Sequence, residues 1–145
     1  STSQLGELPF TPDQLYYFAS GKIFLQKNAA FSSADFATFC RIYVDGFARV
    51  CAALSAKGDI LAFYPSSVAI EERPRAMTEY AMAKAAGEIL CADLDRFNPR
   101  VRTLVRRLPR LLTDQTATVT PVETPDATGT MLEVIGAMME TGRTV

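Results

Sequence analysis

Three short, apolar runs alternate with three long stretches of helical periodicity. This order constrains the fold more than any single motif. "QLYYFAS" (14–20), "DILAFYPSS" (59–67) and "VRTLVRRLP" (101–109) are short and bounded by turn formers, as strands are. Between them, "SSADFATFCRIYVDGFARVCAALSAKG" (32–58) repeats Phe36, Phe39, Cys40, Tyr43, Phe47, Val50, Cys51 and Leu54 at three- and four-residue steps. Ser32 with Asp35 forms a capping-box pattern at its start, and Gly58 marks its stop. "AMTEYAMAKAAGEILCADLDRF" (76–97) is rich in strong helix formers. "TPDATGTMLEVIGAMMETG" (124–142) has Thr124 at the N-cap and Pro125 at N1.

Strand–helix alternation of this kind predicts a parallel sheet with right-handed crossovers and helices on both faces. The expected architecture is a three-layer α/β domain over residues 14–145, with 1–13 as an irregular lead-in. The middle run is almost continuously apolar, as a strand covered on both faces must be. A sheet of three parallel strands has open edges. A long apolar edge would call for a cover, from a second chain or a second copy.

Composition removes several function classes. Fifteen Lys plus Arg balance sixteen Asp plus Glu, which argues against nucleic acid as a partner. No apolar run reaches the roughly 20 residues of a membrane span. The N-terminal stretch lacks the basic start and apolar core of a signal peptide. Cys40, Cys51 and Cys91 are odd in number and sit in apolar helical patterns, so reduced core cysteines in a cytoplasmic setting are expected. There is no histidine, which rules out His-based triads and most catalytic zinc sites. Acid pairs such as Glu71 and Glu72 have no metal-ligand company, and no metal site is predicted.

The candidate chemistry lies in "YAMAK" (80–84). On a helix, Tyr80 and Lys84 share one face, one turn apart. A phenol titrates at about 10, and a neighbouring ammonium favours its ionised form. The pair is either a tuned acid or an incidental surface pair. Ser66 and Ser67 close the second strand, and ligands in parallel sheets bind beyond the carboxyl ends of strands. Ser67 precedes Tyr80 by thirteen residues, across one loop.

This stretch, "AFYPSSVAIEERPRAMTEYAMAKAAGE", resembles the active-site segment of the short-chain dehydrogenase/reductase family. There a serine after a strand precedes Y-x-x-x-K by the same gap. The resemblance implies that Ser67 orients a substrate carbonyl and Tyr80 donates the proton. It implies that Lys84 binds the nicotinamide ribose and depresses the tyrosine pKa. "RLPRLLTDQT" is similar to the family's segment in which Pro109 and Thr113 would hold the nicotinamide carboxamide, with Arg110 where a glycine is usual. In "IYVDGF", Tyr43 stands where the family carries a catalytic asparagine. Ala19, Ser20 and Gly21 echo its Asn-Ala-Gly strand end. The wording also resembles reductase-type domains of polyketide-type assembly lines.

The implied activity is NAD(P)H-dependent reduction of a ketone or an acyl-chain carbonyl, with a carrier-linked acyl substrate among the possibilities. The cofactor would be NADP or NAD. The eight glycines contain no G-x-G-x-x-G, the element that cradles pyrophosphate. The expectation is therefore the C-terminal, catalytic half of a reductase, inactive without a complementary dinucleotide-binding half. Two alternatives stay open: a non-catalytic docking domain, and an epimerase or dehydratase with tightly held NAD. Arg107 and Arg110 are either phosphate contacts or a rim of ion pairs. "IEERPR" (70–75) is a solvated loop or a lid. Met77 and Met82 belong to the core or to an acyl pocket.

Overall fold

The computed structural model describes residues 5, 7–21, 31–109 and 126–142. Its elements follow the predicted order. Strand β1 spans Gln14–Tyr16. Helix α1 (Ser33–Cys40), a π-helical segment (Arg41–Gly46) and helix α2 (Phe47–Ser55) run on from one another. Strand β2 is Ile60–Ser67, followed by the short helix α3 (Ala69–Glu72). Helix α4 (Thr78–Phe97), strand β3 (Val101–Leu108) and helix α5 (Ala127–Gly142) complete the chain.

The three strands are parallel in the order β1-β2-β3, with Leu15 opposite Ala62 and Ile60 opposite Val101. Alternate residues of β2 point to opposite faces. Ile60, Ala62 and Tyr64 join Tyr17, Phe39, Tyr43, Phe47, Cys51 and Val101 in the core under α1, α2 and α4. Leu61 and Phe63 pack on the other face against Val134 and Met138 of α5. The arrangement is a three-layer α/β sheet, as predicted. Cys51 and Cys91 are buried free thiols, and burial pushes both up to about 12.

Three details depart from the sequence reading. The first strand is shorter than 14–20, and its pairing ends where the Tyr17 N–H donates to the Phe63 carbonyl at 3.2 Å. The predicted helix 32–58 contains a π segment. Ser32 caps its start by accepting from the Asp35 N–H at 3.2 Å, as predicted. The reciprocal acid is Glu79 of α4, which accepts from the Ser32 N–H, so a tertiary neighbour does the work of a local box. Thr124 and Pro125 lie outside the described residues. The first described turn of α5 is capped by Asp126, whose carboxylate accepts from the N–H groups of Thr128 and Gly129.

The longer strand edge is β3, and it is not an apolar row. Arg102, Arg106 and Arg107 are exposed along it, the kind of charge that discourages edge-to-edge pairing. No described helix is long and apolar enough to cross a membrane.

Candidate active site

Ser67 ends β2, and Tyr80 and Lys84 lie on the first turns of α4. The two elements are joined by α3 and a turn in which Arg73 and Ala76 adopt positive φ, 49° and 63°. "IEERPR" is thus part helix and part tight turn. The crossover brings the strand end and the helix start together. The Ser67 Oγ accepts from the Ala69 N–H at 3.2 Å and lies beside the Tyr80 phenol, whose pKa it lowers.

Lys84 is 5% exposed. Its Nζ donates to the Pro65 carbonyl at 2.6 Å and sits 3.9 Å from the centre of the Tyr43 ring. Tyr64 and Tyr80 present their rings at 5.2 and 5.8 Å. Tyr80 meets Tyr43 and Phe39 edge to face, at 5.5 and 5.8 Å between centroids. The three residues singled out in the sequence are therefore neighbours, inside an aromatic wall.

The electrostatics differ from the expected tuning. Burial raises Tyr80 to about 12, against a lowering by the Ser67 hydroxyl and a further rise from Tyr43. Burial pushes Lys84 down to about 7. The lysine does not depress the phenol here, because it is itself desolvated and aims its Nζ at Pro65 and Tyr43. Tyr80 is consequently a protonated phenol throughout the neutral range, suited to giving a proton.

The two serines have separate partners. Ser66, 3% exposed, donates to Glu88 Oε1 at 2.5 Å. Glu88 also takes two bonds from Arg107, at 2.8 and 2.6 Å, and Arg107 reaches Glu71 as well. These contacts hold the Glu88 carboxyl below its usual range. Arg107 is thus committed to two acids, and its reading as a phosphate contact gives way to the ion-pair rim. Pro109 follows β3 directly and is half-buried. Thr113 and Arg110 lie outside the described residues. Met77 is half-buried and Met82 is 42% exposed on α4, so Met82 belongs to neither core nor pocket.

Phe39 escaped notice as a site residue. Its only sequence signal was its place one turn before Tyr43. A hollow of about 520 Å³ lined by Asp95, Asn98, Pro99, Val101, Arg102, Thr103 and Thr141 lies at the amino-terminal end of β3, away from Tyr80. Among the described residues no group of three His, Cys, Asp or Glu side chains could hold a metal.

No protein-family model matches the chain. No curated protein matches it either. Solved structures do. A chain provisionally classed as a short-chain dehydrogenase, from Pseudomonas syringae, superposes with TM-score 0.71 at 20% identity, over 95% of this chain and 63% of its own. An alcohol dehydrogenase from the archaeon Thermococcus sibiricus, complexed with 5-hydroxy-NADP, gives 0.70 at 17% identity, over 92% and 60%. A 7α-hydroxysteroid dehydrogenase complexed with NADH and 7-oxo glycochenodeoxycholic acid gives 0.68 at 23% identity, over 83% and 52%. The chain has the fold of these dehydrogenases and spans between 52% and 63% of their lengths.

Proposed function

We propose that the chain is the substrate-side part of an NAD(P)H-dependent short-chain reductase acting on a ketone or acyl-chain carbonyl. The observation that carries this reading is the meeting of Ser67, at the carboxyl end of β2, with Tyr80 on α4, and Lys84 one turn further along the same helix. The fold shared with nicotinamide-dependent dehydrogenases supports it. In this role Ser67 orients the carbonyl oxygen. Tyr80, protonated at neutral pH, donates to that oxygen as negative charge develops on it. The rings of Phe39 and Tyr43 hold the Tyr80 ring edge to face in this position.

The nicotinamide cofactor supplies the hydride when bound. This chain fits part of that group. Lys84 has one hydrogen-bond acceptor among the described residues, leaving N–H donors for a ribose hydroxyl. Pro109 stands at the strand end where the carboxamide would lie, with Thr113 following it. The chain has no glycine-rich turn for the pyrophosphate, so those contacts come from a complementary segment or chain seated against β1. A carrier-linked acyl group is one candidate substrate, beside a free ketone.

A second reading, a docking domain without catalysis, is favoured by the Tyr43 ring lying on Lys84. One titration separates the two. Nicotinamide fluorescence is followed as NADPH and NADH are added to the chain, alone and with any dinucleotide-binding segment of its parent protein. Binding and ketone reduction in the combined sample, lost by orders of magnitude in Tyr80→Phe, support the reductase. No binding in either sample supports the docking domain.

A further inference from the structure

Lys84 carries a buried ammonium with three donors and, among the described residues, one acceptor, the Pro65 carbonyl. Three ring faces stand near it, and the nearest belongs to Tyr43. Three features hold that ring in place. Tyr43 belongs to the π segment Arg41–Gly46, where the wider turn breaks the regular i→i−4 pairing of the helix. The Tyr17 hydroxyl donates to the Ile42 carbonyl at 2.6 Å. Gly46 leaves the room for this, since a Cβ there would lie 2.4 Å from the Tyr17 hydroxyl. On its far side the Tyr43 hydroxyl is 3.3 Å from Ser20 Oγ, and Phe39 stacks on the ring at 6.0 Å and 18°. The ring is 2% exposed as a result.

We infer that Tyr43 is a built-in plug on Lys84: its ring, fixed by the π segment, covers the face of the ammonium that an oxygen-bearing ligand needs. Entry of such a ligand requires the ring to leave. The plug therefore regulates access to the site. The identity of the ligand rests on the reductase reading, but the plug does not.

The test is reductive methylation of the chain with formaldehyde and cyanoborohydride, with Lys84 compared to Lys57 by peptide mass spectrometry. NADPH titration of the same samples follows. Tyr43→Ala should methylate Lys84 at least about tenfold faster relative to Lys57, whereas Tyr43→Phe, which keeps the ring, should match the parent chain. Tyr17→Phe, which frees the Ile42 carbonyl, should give an increase of about threefold or more, and it serves if Tyr43→Ala does not fold. Faster methylation with NADPH binding upholds both plug and reductase. Faster methylation without NADPH binding, even when a dinucleotide-binding segment of the parent protein is added, upholds the plug and sinks the reductase reading. A folded Tyr43→Ala with Lys84 as protected as before, or a Tyr43→Phe that opens Lys84 equally, overturns the plug whatever the nucleotide does. If only Tyr17→Phe folds, unchanged protection of Lys84 overturns it too.

Discussion

Gly87→Ala should destabilise the chain, although helix propensity says the opposite. Gly87 sits within α4, where alanine is favoured over glycine by about 1 kcal/mol. The structure sets a larger cost against this gain. A Cβ at Gly87 would lie 1.9 Å from the Tyr64 hydroxyl oxygen and 2.3 Å from Cζ. Tyr64 is fully buried and locked against Phe47, ring centroids 4.9 Å apart, so it has nowhere to retreat. Overpacking a core typically costs about 1–3 kcal/mol, occasionally more. A contact this short belongs at the upper end, so the net loss should be about 2 kcal/mol. At about 3 °C per kcal/mol for a chain of this size, Tm should fall by about 6 °C. The Tyr64 hydroxyl is buried with no hydrogen-bond partner among the described residues, so Tyr64→Phe alone should be neutral or stabilising by about 1 kcal/mol. In the double variant the penalty of Gly87→Ala should shrink by about 1 kcal/mol, a coupling expected of touching residues. Thermal and urea unfolding of the four proteins would measure the cycle. A Gly87→Ala chain as stable as its parent, or strict additivity, would refute the steric argument.

Three further outcomes follow from the site and its rim. Lys84 is held at about 7, whereas an unfolded lysine titrates at about 10.4, so between those values the unfolded chain holds a proton that the folded chain has lost. Stability contributed by this group therefore rises with pH across that window, and the burial cost is complete below it. Lys84→Met should stabilise most at about pH 6 and lose that advantage by about pH 10; equal Tm gains at both would contradict the burial. The difference in tyrosinate absorbance between the parent and Tyr80→Phe should titrate at about 12; a midpoint below about 10 would mean that the lysine does tune the phenol. Glu88→Ala should cost about 1–3 kcal/mol, because the nearly buried Ser66 hydroxyl loses its acceptor, while Glu71→Ala on the exposed side of Arg107 should be close to neutral. Denaturant unfolding that ranked the two the other way would remove the structural role given to Glu88.

What the sequence could determine by itself was whatever depends on local spacing. The alternation of element types carried the parallel three-layer sheet, because period and run length are properties of the chain alone. The near-continuous apolar run of β2 carried its burial on both faces. The four-residue step of Tyr80 and Lys84 put both on one helix face, and the thirteen-residue gap to Ser67 matched the crossover that joins them. Tertiary structure decided what lies across from each residue. It assigned Ser66 to Glu88 and Ser67 to Tyr80, though the two serines are adjacent and alike in sequence. It turned Arg107 from a candidate anion ligand into the partner of two acids, one of them thirty-six residues away. It raised the Tyr80 phenol where proximity to a lysine suggested a lower value, since burial acts on both groups and is invisible in the spacing. The Tyr17 hydroxyl satisfies the Ile42 carbonyl within the π segment from twenty-five residues away, a pairing no local spacing announces. Periodicity reports which face of an element is apolar; charge, hydrogen bonding and access at a site depend on neighbours that only the folded chain brings near.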